Sequence, residues 1–275
     1  MKRLIACLTF DVDAMSGFVA RGLTTPTPIS RGEFGTVAVP RILALLKRYG
    51  IRASFFIPGV VVATYPELCE RISQDGHEIG NHGWTHVPPS NLSITEEEDG
   101  LLKGNEIIRK IAGKNPVGYR SPSWDLSDNT LPLLLKHGFV YESSMMGNDY
   151  TPYQARMGDI VHIDRPIEFG HETSLIEMPI SWTLDDFPHF EYLRTANSLA
   201  PGLMNANDVL ENWLDDFEYM RRLCDWGVLT YTCHPYVIGR GHRMLMLERL
   251  IDGLIEKGAT FMTMEDAASE YTQRS

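Results

Sequence analysis

Residues 4–13, with the sequence LIACLTFDVD, are the stretch that decides the fold. The apolar run from Leu4 to Leu8 predicts a β-strand that ends at Asp11. Side chains two residues apart on an extended chain point the same way, so Asp11 and Asp13 can face one cavity. Two such carboxylates repel each other unless a cation lies between them or one is protonated. The alternative is a pair of loop carboxylates that cap Ser16 or meet water.

Similar strands alternate with amphipathic helices along the chain. The strand candidates are Leu4–Asp11, Ala53–Ile57, Glu78–Asn81, Val117–Arg120, Val140–Ser143, Leu175–Ile180, Val228–Cys233 and Thr260–Thr263. The helix candidates are Val39–Tyr49, Tyr65–Asp75, Thr95–Ala112, Asp128–His137, Asn207–Trp226 and Met244–Lys257. Thr95 and Glu98 have the spacing of a capping box. Seven or eight strand–helix units in 275 residues predict an α/β fold, a distorted (β/α)7-8 barrel in one domain over residues 1–275.

Two segments, about residues 14–35 and 181–206, do not fit the alternation and are predicted to be loop insertions. Both leave the C-terminal ends of predicted strands, where barrel enzymes keep their active sites. Loops of this length in a compact domain are usually functional lids or disordered, so we expect them to border the site. An irregular surface excursion is the alternative.

The composition excludes several classes of protein. The chain has 25 lysines and arginines against 36 aspartates and glutamates, a net charge of −11, which argues against nucleic acid and anionic membranes as partners. The four cysteines form no CxxC pair, which favours free thiols in a reducing compartment. No apolar run is long enough to span a bilayer, and the N-terminal one is too short for a secretory signal. We therefore expect a cytoplasmic protein.

A second motif, NHGWTH at residues 81–86, follows the predicted strand Glu78–Asn81. His82 and His86 are four residues apart, so on a helical turn both imidazoles would lie on one face and chelate one ion. Together with Asp13 they form the one-carboxylate, two-histidine set that is recurrent in catalytic metal sites. Two surface histidines are the alternative, and His77 is interpreted as structural.

Two further motifs end predicted strands. In GYRSPSW, residues 118–124, Arg120 can orient a nearby carboxylate, and the backbone N–H of Ser123 can donate to a developing oxyanion. In LTYTCHP, residues 229–235, His234 emerges at the mouth of the barrel, where an imidazole can act as an acid near neutral pH. A surface arginine and a structural histidine are the alternatives. Trp124 and Trp182 are candidate substrate-binding side chains.

These four motifs, in this order, resemble those of the polysaccharide deacetylase superfamily, which is the NodB-homology fold of carbohydrate esterase family 4. The resemblance implies that Asp11 is the catalytic base and that Arg120 tethers it. It implies that His234 is the general acid, oriented by Asp185 or Asp186. The implied metal ligands are Asp13, His82 and His86.

Two departures from the family pattern point to a sub-branch. Val12 separates aspartates that are usually adjacent, and the last motif contains Cys233 where the usual form is Leu-x-His. The sub-branch includes intracellular peptidoglycan-deacetylase-like proteins, cyclic imide hydrolases and allantoinase-like proteins, many of them homotetramers. The resemblance therefore implies a homo-oligomer that acts on a small amide or acetylated-sugar substrate.

The expected function is metal-dependent hydrolysis of a non-peptide carbon–nitrogen bond, with zinc as the expected ion and cobalt, iron, nickel or manganese as alternatives. A small substrate such as a cyclic imide or an N-acetylated amino sugar is favoured, and a peptidoglycan or chitooligosaccharide N-deacetylase is the alternative. From other classes, a metal-dependent sugar isomerase lacks its usual strand-end lysine here. A non-catalytic binding protein would leave a complete set of catalytic residues unused.

Overall fold

A computed structural model describes residues 2–194 and 199–274 of the chain. The strands are β1 (Arg3–Asp11), β2 (Ser54–Ile57), β3 (Glu78–Asn81), β4 (Gly118–Tyr119), β5 (Tyr141–Glu142), β6 (Tyr153–Met157), β7 (His171–Glu177), β8 (Leu193–Arg194), β9 (Leu199–Ala200), β10 (Trp226–Cys233) and β11 (Thr260–Phe261). The helices are α1 (Ser16–Ala20), α2 (Pro26–Glu33), α3 (Gly35–Tyr49), α4 (Gly59–Thr64), α5 (Pro66–Gln74), α6 (Ile94–Ala112), α7 (Thr130–Lys136), α8 (Asp186–Phe190), α9 (Ala206–Leu223), α10 (Pro235–Ile238), α11 (Gly241–Glu256) and α12 (Met264–Arg274).

The main sheet is curled and has the strand order β10-β1-β2-β3-β4-β5-β7-β6, with β11 also paired to β1. Its pairs are parallel except for β6 with β7. Between β6 and β10 the ladder is open, and there Asp185 makes an isolated parallel bridge to Thr232. The predicted α/β barrel class is therefore confirmed, in the form of an incompletely closed barrel.

The centre of the barrel is formed by β1, which is buried over nearly its whole length and pairs with β10 from Arg3 to Phe10. Parallel strands covered on both faces need such continuous apolar runs. Helices α3, α9 and α11 pack their apolar faces on this sheet; among the largest side chains that they bury are Trp213 and Phe217. No helix among the described residues is long and apolar enough to cross a membrane.

Several predicted boundaries were wrong. The first insertion contains α1 and α2 rather than only loop, and the second contains α8 and the β8–β9 ribbon, although residues 195–198 lie outside the described residues. The capping box of α6 is formed by Ser93 and Glu96, two residues before the predicted pair. Trp226 begins β10 instead of ending a helix, because it pairs with Arg3 in the sheet.

Candidate active site

The predicted site residues meet at the carboxyl ends of the strands. Asp11 ends β1, and the residues that directly follow β3, β4 and β10 are His82, Arg120 and His234. Because neighbouring parallel strands end at the same edge of the sheet, their first loop residues face a common space. These four side chains are buried, although all of them are charged or ionisable.

Asp13, His82 and His86 form a cluster with the spacing of metal ligands. Nε2 of His82 lies 3.4 Å from Oδ1 of Asp13, and Nε2 of His86 lies 3.2 Å from Oδ2 of Asp13. Ligands about 2.0–2.1 Å from a tetrahedral zinc ion are about 3.4 Å apart, so these separations fit one ion. Asp13 Oδ1 and His82 Nε2 are also buried without a hydrogen-bond partner among the described residues.

The hydrogen bond behind His82 fixes its tautomer. Nδ1 of His82 lies 2.6 Å from the carbonyl oxygen of Arg120, and since a carbonyl can only accept, Nδ1 carries the proton. In the neutral ring this leaves the lone pair of Nε2 directed at Asp13, so two acceptors face each other. A cation between them would satisfy both atoms, and backbone orientation of a ligand histidine is typical of metal sites.

The electrostatics of the cluster agree with a requirement for positive charge. Burial alone would raise the pKa of Asp13, but the imidazoles of His86 and His82 hold it well below its ordinary range. Burial lowers the pKa of His82, and the adjacent carboxylate of Asp13, helped by that of Asp11, outweighs this and raises it. The ionised form of Asp13 is therefore stabilised by positive charge on the groups beside it.

The two histidines do not lie on a helical turn, contrary to the expectation from their spacing. Residues 82–86 are irregular, and His86 has a left-handed backbone with φ 58°. The left-handed turn, rather than a 3.6-residue period, brings the His86 ring to 5.0 Å from the His82 ring. The same backbone region is adopted by Ala14, Ser123 and Trp124, which also border the site.

Arg120 holds Asp11 in a buried ion pair. Its Nη1 donates to Oδ1 of Asp11 at 2.8 Å and to the Thr9 hydroxyl at 2.9 Å, and both charged side chains are almost fully buried. On its other edge the guanidinium donates to the backbone carbonyl and the hydroxyl of Ser143. The guanidinium carbon, Cζ of Arg120, lies 4.3 Å from the centre of the Phe56 ring. The arginine therefore has one orientation, and it fixes the carboxylate beside the metal cluster.

His234 is held by two carboxylates on the opposite wall. Its Nδ1 lies 2.8 Å from Oδ1 of Asp186 and 3.4 Å from Oδ1 of Asp185, and its backbone N–H also donates to Asp186. The Asp185 carboxylate also accepts a hydrogen bond from the backbone N–H of Phe187 and so caps the N-terminus of α8. Burial lowers the pKa of His234, but the two carboxylates raise it well above its ordinary value. Its Nε2 is directed towards the cluster, 3.7 Å from Asp13.

One cavity of about 90 Å³ is lined by most of these groups, namely Asp11, Asp13, His82, His86, Asp185 and His234. Trp124 and Trp182 stack on each other at its border, with ring centroids 4.1 Å apart. Ser123 lines it as predicted, and Arg21 and Phe187, which the sequence did not single out, line it as well. A larger cavity of about 190 Å³ lies beside Trp84 and contains none of the predicted site residues.

A second acidic pair, also not predicted, lies behind the site. Glu142 and Glu177 are fully buried and directly opposite each other on β5 and β7. The backbone N–H of Ser144 donates to both, at 2.9 Å and 3.2 Å, and the Ser144 hydroxyl in turn accepts from the N–H of Ser121 at 2.8 Å. The available signal was a glutamate at the carboxyl end of each of these two strands.

Comparison with known proteins identifies the class to which this fold and site belong. The family model for polysaccharide deacetylase matches residues 5–141. A Helicobacter pylori peptidoglycan deacetylase is 37% identical over 289 residues, covering 100% of this chain and 98% of its own. The chain therefore belongs to the polysaccharide deacetylase family, as the motifs predicted, and is a hydrolase of the deacetylase class.

Other relatives extend the likeness over the full length. The peptidoglycan deacetylase-like protein FGM2 of Gibberella zeae is 29% identical, covering 98% of this chain and 87% of its own. The crystal structure of a Mycobacterium smegmatis protein assigned to the polysaccharide deacetylases has a TM-score of 0.87 at 29% identity, covering 99% and 91%. The Puue allantoinase structure shares the fold, with a TM-score of 0.78 at 18% identity, covering 98% and 90%.

Proposed function

We propose that the chain is a metal-dependent N-deacetylase that removes the acetyl group from an N-acetylated amino sugar of the peptidoglycan class. The observation that carries this proposal is that Asp13, His82 and His86 converge, and that Asp13 and His82 each keep a buried polar atom without a hydrogen-bond partner. The Asp11–Arg120 ion pair lies beside them. The similarity to the Helicobacter pylori enzyme favours an acetylated sugar over the cyclic imide that the sub-branch also suggested.

The metal ligands proposed are Asp13, His82 and His86. A divalent ion held there would supply a Lewis acid for the amide carbonyl and would make the attacking water more acidic. Zinc is the proposed ion because the ligand separations suit a tetrahedral site, and cobalt, iron, nickel and manganese are the alternatives that metal analysis distinguishes.

The remaining residues handle the protons. Asp11 takes a proton from the attacking water, and the Arg120 guanidinium holds its carboxylate in place. His234 gives a proton from Nε2 to the departing nitrogen, since Asp186 holds its Nδ1–H. Of the two candidates, Asp186 is therefore the orienting residue that we propose. The backbone N–H of Ser123 is the proposed donor to the oxyanion.

The aromatic pair supports a sugar as the substrate. Trp124 is buried and Trp182 is 43% exposed, so their stack offers a flat apolar face next to the cluster. Such faces pack against the apolar side of a pyranose ring, while a few polar groups fix its orientation. The cavity of about 90 Å³ is, however, also small enough to favour a compact cyclic imide as the second candidate.

The test is metal analysis and turnover of the purified protein with its Asp13→Ala and His82→Ala variants. We expect both variants to lose the bound ion and the release of acetate from N-acetylated sugars. His171→Ala, at an exposed position on β7, is the matched control and should keep both. Turnover that persists in a variant without metal would contradict the mechanism.

A panel of substrates separates the two candidate functions. Acetate release from N-acetylated amino sugars, with no ring opening of succinimide or hydantoin, is the expected result. The opposite pattern would replace the deacetylase by a cyclic amide hydrolase. The homotetramer implied by the sub-branch stays a prediction, which light scattering of the purified protein would test.

A further inference from the structure

Arg21 is the charged side chain at this cavity that the proposed mechanism does not use. It follows α1, in the first insertion, and is exposed at the surface while also lining the cavity beside Asp13 and His86. One guanidinium nitrogen donates to the carbonyl oxygen of Gly17 at 2.7 Å. Most of its five donors therefore remain available to something in the cavity.

The other charges at the cavity are matched by partners within the protein. Asp11 is paired with Arg120, Asp13 faces His82 and His86, and the two carboxylates of the opposite wall face His234. On the same insertion, Arg31 is paired with Glu191. Among the described residues, Arg21 has no carboxylate within ion-pair distance. It is thus the uncompensated cation of the site.

Gly17 keeps the space between this cation and the metal cluster open. A Cβ on Gly17 would lie 3.1 Å from Nη1 of Arg21, 3.8 Å from Nδ1 of His86 and 3.9 Å from Oδ2 of Asp13. The guanidinium and the ligand side chains therefore flank a common point, with no side chain between them. A substrate whose amide reaches the cluster would place its neighbouring substituents within reach of Arg21.

A local cation can bind an anion even though the chain as a whole is acidic. The net charge of −11 repels anions, but at physiological salt this repulsion is screened over about 8 Å, whereas a direct guanidinium–carboxylate contact is screened much less. A guanidinium fork also binds a carboxylate in two-point geometry, which a lysine cannot reproduce.

From this placement we propose that Arg21 forms a subsite for a carboxylate on the substrate, so that the enzyme selects acetylated substrates that carry a carboxylate close to the scissile amide. This inference rests on the proposed function and narrows its substrate class. The carboxylate belongs either to an acidic amino sugar or to an N-acetylated amino acid, since both present the same group at short range.

The test compares each acid with its own methyl ester, which removes the charge and leaves the acetamide unchanged. One arm uses N-acetylmuramic acid and its methyl ester, and the other uses N-acetylalanine and its methyl ester. We expect the wild-type protein to prefer the acid in one arm by about 10- to 100-fold in kcat/KM, the range for hydrogen bonds to a charged group. The arm that shows the preference identifies the source of the carboxylate.

Variants locate the preference at Arg21. Arg21→Ala should abolish it mainly by raising KM for the acid, and Arg21→Lys should keep part of it. Arg109→Ala removes the same charge from an exposed position on α6 and should leave the acid-to-ester ratio unchanged. A wild-type ratio near one in both arms, or an unchanged ratio in Arg21→Ala, would overturn the inference.

Calorimetric binding of the same acids and esters separates this inference from the proposed function. Arg21-dependent binding of the acid without any turnover would support the carboxylate subsite and contradict the deacetylase. Turnover of acid and ester alike would support the deacetylase and contradict the subsite.

Discussion

Two of the buried acidic pairs in the described part of this barrel are accommodated in different ways. The aspartate pair, Asp11 and Asp13, is matched by the Arg120 guanidinium and by two imidazoles. The glutamate pair, Glu142 and Glu177, has no cationic side chain within ion-pair distance among the described residues. Backbone N–H groups and one serine hydroxyl are its hydrogen-bond partners instead.

The titration of the two pairs differs accordingly. The imidazoles keep the pKa of Asp13 low despite its burial, whereas burial raises the pKa of both Glu142 and Glu177. Two carboxylates that cannot both ionise share a proton, which makes the glutamate pair a neutral or singly charged structural unit. The comparison teaches that a buried acid becomes chemically useful where the fold also supplies its counter-charge.

Arg120 is the residue whose loss should have the largest effect, because it touches the aspartate pair and the Ser143 segment next to the glutamate pair. We expect Arg120→Met to abolish activity and to lower the free energy of unfolding by about 3–5 kcal/mol, since Asp11 is left as an unpaired buried charge. Urea denaturation measures this.

Two further variants show whether the unpaired charge is the cause. Arg243 is also buried, but it donates to the carbonyl oxygens of Val237 and Phe190, so Arg243→Met should cost less. Adding Asp11→Asn to Arg120→Met should restore part of the lost stability. If the double variant is no more stable than Arg120→Met alone, the charge is not what destabilises it.

Asp11→Asn alone should affect chemistry more than stability. The amide keeps the shape of the side chain but cannot take a proton, so we expect kcat to fall by about 10²–10⁴-fold while bound metal is retained. Steady-state kinetics and metal analysis check this. Glu78→Gln changes a buried carboxylate at the other end of the sheet, hydrogen-bonded to Ser54 and Tyr141, and should keep kcat close to the wild-type value. Equal losses of kcat in both variants would contradict a specific role of Asp11 in the chemistry.

Glu177→Gln should have the smallest effect, visible as a change in pH dependence. The folded pKa of Glu177 is raised above its unfolded value, so its contribution to stability is complete below about pH 4.3 and is lost as the pH rises through the folded pKa. A glutamine cannot ionise, so the variant should lose less stability than the wild type between pH 6 and pH 9. Denaturation curves at both pH values measure this. If the change in the free energy of unfolding between them is the same in the wild type and in the variant, the glutamate pair does not share a proton.

The sequence predicted that the residues around the aspartate pair lie together, and it did so for a physical reason. Parallel strands end at one edge, so Asp11, His82, Arg120 and His234 could be placed together from strand ends alone. The period-based argument for His82 and His86 was wrong, because a left-handed backbone at His86 cannot be read from residue spacing.

The glutamate pair was missed because its partners are the backbone N–H groups of Ser144 and Met145 and one hydroxyl, so no charged residue in the sequence marks the pair. Strand β6 was missed as well, since it joins the sheet in the antiparallel sense at an edge, where the alternation of strands and helices gives no guidance. The Gly-, Thr- and Pro-rich first insertion reads as a loop, yet it contains α1 and α2 and supplies Arg21.

The left-handed residues at the border of the cavity have a consequence for attempts to make this protein more robust. Ala14, His86, Ser123 and Trp124 each hold a side chain in a backbone region that costs on the order of 1–3 kcal/mol. Substitutions that remove this backbone strain would raise the melting temperature. They would also allow the His86 ring and the two stacked tryptophans to leave their positions beside the cavity. Stabilising substitutions should therefore be sought on the outer helices, away from the border of the cavity, where they do not reduce the catalytic rate.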